Sequence, residues 1–271
     1  MPHLKAIIFD VDGTLANTEE THRQAFNASF REFDLPFQWS EQEYTRLLAI
    51  SGGKERIYHF LKNHEIGKKY DLNYWHEYSL AIHRRKSVIY REMLEAGKIN
   101  FRPGIYRLLN EARERNICLA IATSTSLPNV KTLLTLNLGE DALDRFDAIV
   151  TCDIVVDKKP SPAVYQFALA ELGHTPEYCI AIEDTINGNL AALRAGLKTI
   201  ITTHAYTIDD DFTGASLILD QMGEPDDNFT VIGGNAFGST YVDINLLEQH
   251  LNNQEEENLW QPAAARVALA K

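Results

Sequence analysis

Six short apolar runs limit what this chain can become: residues 5–9, 117–122, 148–150, 179–182, 198–202 and 216–219. Several are apolar throughout instead of alternating. A strand reads that way when both of its faces are covered, as in a parallel sheet held between layers of helices. Helical spacing fills the gaps, at 105–115, 129–136, 162–172 and 187–195, and the last two run into Gly173 and Gly196, residues suited to closing a helix. Strand and helix in alternation predict an α/β fold with an open parallel sheet and right-handed crossovers. A chain of 271 residues can build one such core and a smaller appended unit.

One stretch interrupts the alternation. Residues 19–94 are polar, rich in aromatics and helical in period, and they lie between the first apolar run and the second. This predicts a helical domain inserted after strand one, with the chain returning near Arg102-Pro103-Gly104. The expected division is a core of 1–16 and 99–252, a helical cap of 17–98 and a mobile tail of 253–271. A last strand is expected at 230–232 or 241–242, followed by a helix at 244–251.

A net charge of -12 argues against non-specific nucleic-acid binding, which needs a basic face. The N-terminal residues become charged too soon for a signal peptide, and no apolar run reaches the roughly 18 residues of a membrane span. Cys118, Cys152 and Cys179 each touch an apolar run and read as small buried hydrophobes in a reducing compartment. The expectation is a soluble, monomeric, cytoplasmic protein.

The chemistry collects where strands end. Strand one ends in Asp10-Val11-Asp12-Gly13-Thr14, two carboxylates at the edge where open α/β sheets bind ligands. Aspartates before a glycine also make ordinary turns, so the pair alone decides nothing. Strand two ends in the hydroxyl run Thr123-Ser124-Thr125-Ser126, although Ser124 or Ser126 could equally cap a helix. Lys159 precedes Pro160 and Pro162 ahead of a helix, and strand four ends in Glu183-Asp184. Four strand ends each carrying a group suited to phosphate or to a cation make a site more economical than coincidence.

This order, an Asp-x-Asp-Gly-Thr, a Thr or Ser, a Lys-Pro and a Glu-Asp, resembles the haloacid dehalogenase (HAD) superfamily, in the branch with a helical cap after the first strand. The segments Ser51-Gly52-Gly53-Lys54-Glu55-Arg56, Thr123 to Val130 and Gly223-Glu224-Pro225 are similar to CbbY-type sugar-bisphosphate phosphatases. Asn17 departs from the pattern, which often has an acidic residue there. The resemblance implies a HAD-like Rossmannoid core with an inserted cap, and Mg²⁺-dependent phosphate-ester hydrolysis, with xylulose-1,5-bisphosphate as the first-choice substrate. Asp10 becomes the nucleophile, forming an aspartyl-phosphate. Asp12 is the general acid and base, with Thr14 to orient it. Thr123, Ser124 and Lys159 hold phosphoryl oxygens. Mg²⁺ sits on Asp10, Asp184 and the backbone carbonyl of Asp12, with Glu183 in support.

On the cap, Gly53, Lys54 and Arg56 open a helix running to about Asn63 and are expected to bind a second phosphate. His22 is a candidate substrate contact or a packing histidine, and in His83-Arg84-Arg85-Lys86 one member could turn inward. The run Gly233 to Ser239 imitates a phosphate loop but lacks its lysine, and reads as an ordinary loop. Two other functions fit the same residues: a sugar phosphomutase, or an inactive phosphosugar-binding module. Intact Asp10, Asp12, Lys159 and Asp184 weigh against the module.

Overall fold

The computed structural model describes residues 3–65, 72–97 and 99–253; apart from Asn253, the expected tail lies outside them. Its strands are β1 (Ala6–Phe9), β2 (Cys118–Ala122), β3 (Ala148–Val150), β4 (Cys179–Glu183), β5 (Lys198–Thr202), β6 (Leu217–Leu219) and β7 (Val231–Gly234). They form one sheet in the order β3-β2-β1-β4-β5-β6-β7. All neighbours are parallel except β7, which runs antiparallel on the edge. Ala6 of β1 is in register with Cys118 on one side and Cys179 on the other. The strand order therefore reverses around β1, and the residue after it, Asp10, stands at the crevice where such sheets bind ligands.

The continuous apolar runs have the cause inferred from the sequence. Ile7, Phe9, Leu119, Ile121, Ile180 and Ile182 face one layer, packed on α5 (Ile105–Glu114), α6 (Leu127–Leu138) and α9 (Ile244–Asn252). Ala6, Ile8, Ala120, Ala122 and Ala181 face the other, packed on α7 (Ala163–Leu172) and α8 (Ile186–Arg194). Every side chain of β1 is shut from water, and each buried Ile or Phe contributes about 1.5–3 kcal/mol.

Between β1 and β2 lie α1 (Glu19–Glu32), α2 (Glu41–Leu47), α3 (Gly53–Asn63) and α4 (Leu72–Gly97). They share an aromatic-rich core of their own that includes Phe26, Phe30, Trp39, Tyr44, Ile57, Leu61, Trp75 and Ile82. The long helix α4 belongs to both units. Trp75 and Ile82 enter the cap cluster, whereas Ile89, Tyr90 and Leu94 pack with the sheet.

Two expectations are corrected. Gly233 and Gly234 belong to β7 and not to a loop, because an antiparallel edge strand needs no continuous apolar run. Of the cysteines only Cys179 is buried; Cys118, which opens β2, and Cys152, which follows β3, are half-buried, and all three thiols are free. Among the described residues no helix is long and apolar enough to cross a membrane.

The last helix carries a pH liability. His250 on α9 is buried, and burial, with Lys198 nearby, pushes its imidazole down from 6.5 to about 4. Below about 6.5 the unfolded chain takes up a proton that the folded chain refuses. Stability therefore falls as pH drops towards 4, by up to roughly 1.4 kcal/mol per pH unit. His250→Leu is expected to flatten that part of the profile, measured as urea midpoints at pH 7 and pH 5; an unchanged slope would remove His250 from the account.

Candidate active site

Burial next to a cation defines the centre of the site. Lys159 Nζ lies 2.6 Å from Asp10 Oδ1 and also donates to Glu183 Oε1. Tyr165 donates its hydroxyl to the same Glu183 oxygen, and the ammonium sits 5.1 Å from the Tyr165 ring centre. Asp184 accepts from Thr14 Oγ1 at 2.9 Å. Asp10, Glu183 and Asp184 are all buried, with ligand oxygens within 4.8 Å of one another. Burial pushes the Asp10 carboxyl well up; Lys159 pulls it back, but Glu183 and Asp184 add repulsion. Asp184 is raised as well, chiefly by burial. Lys159 is held above its ordinary value, because Asp10 and Glu183 outweigh the cost of its burial. Three carboxylates against one ammonium leave negative charge in excess, and an all-oxygen donor set of this kind fits a hard divalent cation.

The carboxylate of Asp12 lies outside this group. Its Oδ1 accepts from Thr18 Oγ1 at 2.7 Å, from His22 Nε2 at 2.9 Å and from the Tyr90 hydroxyl at 3.2 Å. Lys86 Nζ reaches the other nitrogen of His22, and Tyr90 stacks on the His22 ring at 3.9 Å. Burial alone would raise the Asp12 carboxyl. The neighbouring His22, the hydrogen bonds from His22 and Thr18, and Lys86 hold it well below the usual range. Lys86 meets the opposite balance, and burial brings it down to about 7.

Above these residues opens a cleft of about 660 Å³. Its walls include Asp10, Asp12, Thr123, Ser124 and Lys159 from the sheet side, and His22, Gly53, Lys54, Arg56, Arg84 and Lys86 from the cap side. The expected residues thus meet at one place, but several stand differently from their expected roles. Thr14 orients Asp184 and not Asp12, whose oxygen is already taken by Thr18, His22 and Tyr90. His22 stands behind Asp12 with both ring nitrogens engaged. Arg56 is not a free cation: its guanidinium is spent on the carbonyls of Leu47 and Ile50 and on the Tyr44 hydroxyl, and it packs over the Tyr44 ring. Gly52 and Gly53 make room for protein and not only for a ligand. A Cβ on Gly52, whose φ is +91°, would meet Lys158 at 2.7 Å, and one on Gly53 would meet His83 at 2.6 Å. The basic run divides: Lys86 turns inward, Arg84 lines the cleft and Arg85 binds Glu32 at 2.8 Å.

Sequence reasoning missed Thr18, Tyr90, Tyr165, His204 and Arg102. Arg102 is buried at the return from the cap. Its backbone N–H donates to Leu15 O at 2.8 Å, and its guanidinium donates to the carbonyls of Gly13, Thr202, Thr203 and Asp220. It ties the loop after β1 to the ends of β5 and β6.

This sheet, with an aspartate after the central strand and a lysine and an acidic pair beside it, defines a capped α/β hydrolase acting on phosphate esters, and residues 7–202 match the family model described as haloacid dehalogenase-like hydrolase. The chain belongs to that family and is a phosphatase-type hydrolase. It is 44% identical to Protein CbbY of Cereibacter sphaeroides, over 82% of this chain and 94% of that one. It is 43% identical to the plasmid-encoded Protein CbbY of Cupriavidus necator, over 82% and 87%. Among solved structures, a mutant of CbbY from Rhodobacter sphaeroides in complex with xylulose-(1,5)bisphosphate is similar with a TM-score of 0.73 and 42% identity, covering 80% of this chain and 94% of that one.

Proposed function

We propose that this chain hydrolyses a small sugar bisphosphate, of which xylulose-1,5-bisphosphate is the first candidate, through a phosphoryl group carried on Asp10. The observation that supports it best is that Asp10 and Lys159, 2.6 Å apart, line a cleft whose opposite wall holds further cations. Asp10 attacks phosphorus as the bond to the sugar oxygen breaks, and Asp12, which takes up a proton as the cap covers it with bound substrate, delivers that proton to the oxygen. Asp12 is then ionised, the form its surroundings favour, and takes a proton from the water that attacks the aspartyl-phosphate. Lys159 and Thr123 hold the transferring oxygens, with Ser124 beside them. Asp10, Glu183 and Asp184, with the backbone carbonyl of Asp12, would hold Mg²⁺, which screens the anionic ester from the anionic nucleophile. Residues 17–98 act as the closing unit and expel water. The protein acts as a cytoplasmic monomer, a setting that three free thiols fit.

The test is release of inorganic phosphate from a panel of sugar mono- and bisphosphates, with Mg²⁺ and after chelation, while the sugar product is identified. One phosphate released per sugar consumed supports a phosphatase. A rearranged sugar phosphate without net release would make the chain a mutase, and activity unchanged after exhaustive chelation would remove the metal.

The second phosphate is assigned to Gly53 and Lys54 at the start of α3, with Lys158 and Arg84 nearby. Lys54 is 47% exposed, and Glu55 lies 3.7 Å from both Lys54 and Lys158, so each lysine has a carboxylate neighbour that an anion would replace. Lys54→Ala should lower kcat/KM for a bisphosphate about tenfold and leave a small aryl phosphate nearly unchanged. Arg56→Ala should lower both together, since it loosens residues 47–52. Equal losses from Lys54→Ala on the two substrates would show that Lys54 does not read the second phosphate.

A further inference from the structure

The turn after β5 brings a histidine onto the acidic cluster. His204 Nε2 lies 2.9 Å from Asp184 Oδ2, and its side chain is 9% exposed. The other ring nitrogen, Nδ1, accepts the backbone N–H of Tyr206 at 3.3 Å. A nitrogen that accepts carries no proton, so the hydrogen of the neutral ring resides on Nε2 and His204 donates to Asp184. The turn itself is pinned. Thr207 Oγ1 accepts from the His204 backbone N–H at 3.2 Å, and the Thr207 N–H donates to His204 O at 2.9 Å.

Asp184 is thereby held from two sides, Oδ1 by Thr14 on the β1 loop and Oδ2 by His204 on the β5 loop. Each oxygen keeps a lone pair for a cation. Gly13, at φ +91°, lies beneath them: a Cβ there would stand 2.2 Å from Asp184 Oδ2 and 2.7 Å from His204 Nε2. The loop after β1 therefore has no side chain at the point where carboxylate and imidazole meet.

We infer that His204 is a positioning residue for the metal site, its Nε2–H fixing the Asp184 carboxylate in the orientation that receives a divalent cation together with Asp10 and Glu183. The inference rests on the reading of that cluster as the metal site. Partners of metal-ligating side chains typically change affinity 10–100-fold when lost. A carboxylate that loses the donor on one side is no longer fixed in the shared orientation.

The test uses Mn²⁺ as the probe and the full chain, with free Mn²⁺ counted by electron paramagnetic resonance. His204→Gln keeps a donor, and His204→Met keeps bulk without one; both are compared with the unmodified chain and with Asp184→Ala. The expected result is one tight ion for the unmodified chain, near-normal affinity for His204→Gln, and affinity at least about tenfold weaker for His204→Met. Equal affinities for the Gln and Met variants would overturn the inference, as would nitrogen hyperfine coupling showing the imidazole bound directly to Mn²⁺. An unmodified chain that binds no Mn²⁺, or an Asp184→Ala variant that binds it normally, would instead overturn the reading of the cluster.

Discussion

Asp10→Asn is expected to abolish turnover, by at least about four orders of magnitude, in a protein that still folds. Asparagine keeps the shape of the side chain but cannot form an acyl phosphate, and losing a nucleophile of this kind costs about that much or more in other hydrolases. The fold should survive because Asp10 is held against its own interest. It is buried, its carboxyl is pushed well up, and two further carboxylates stand beside it. Removing its charge relieves repulsion, and Lys159 keeps Glu183 as a partner. Circular dichroism and the melting temperature should resemble those of the parent protein. Steady phosphate release by a sample proven free of deamidation would end the assignment of Asp10 as nucleophile.

Lys159→Met should abolish activity and also cost stability, and the stability loss should depend on pH. The lysine side chain is 5% exposed and is the direct ion-pair partner of both Asp10 and Glu183. Without it Asp10 and Glu183 remain buried with no cation beside them, a change worth about 3–5 kcal/mol when one partner of a buried pair is removed. Part of that loss is avoidable, since a buried carboxyl can take up a proton instead. Asp10 already titrates above its unfolded value, and losing Lys159 raises it further, so its contribution is present at low pH and is lost as pH rises through the folded value. Urea midpoints should therefore lie closer to the parent at pH 5 than at pH 8. A penalty equal at both would mean that Lys159 does not neutralise the cluster. Adding Mg²⁺ should recover part of the stability, since an ion that binds only the folded chain stabilises it by mass action, without recovering turnover.

The parts of this molecule that were legible in the sequence are those where one local rule suffices. β3 and β5 occupy the residues their apolar runs mark, and α3 ends at Asn63 where its periodicity does. Asp10, Thr123 and Asp184 could be grouped from the sequence because strand ends of a parallel sheet meet at one edge, and Lys159 because it precedes the helix that follows β3. The same rule applied to β5 would have reached His204, two residues past Thr202. What stayed hidden depends on long-range crossings. Tyr90 reaches Asp12 across 78 residues and Lys86 reaches His22 across 64. Both contacts arise only because α4 packs along α1, and no short-range pattern in either helix announces its partner. Arg56 shows the converse. Its position at a helix start pointed to an anion, but the carbonyls of Leu47 and Ile50 had a prior claim on it.

The shared helix α4 has a mechanical meaning. At 26 residues it is a rod about 39 Å long. One end is rooted among Ile89, Tyr90 and Leu94 in the sheet's core, and the other is rooted among the cap aromatics. Lys86 sits between the two anchorages, beside the chain of contacts that ends on Asp12. A rod clamped this way turns a small tilt at its root into a wide swing at its tip, and the midpoint feels a fraction of that swing. Asp12 is thus geared to the attitude of the cap. Two hydrophobic cores that might have melted separately are also riveted together, so damage to the packing of either one should be felt by the other.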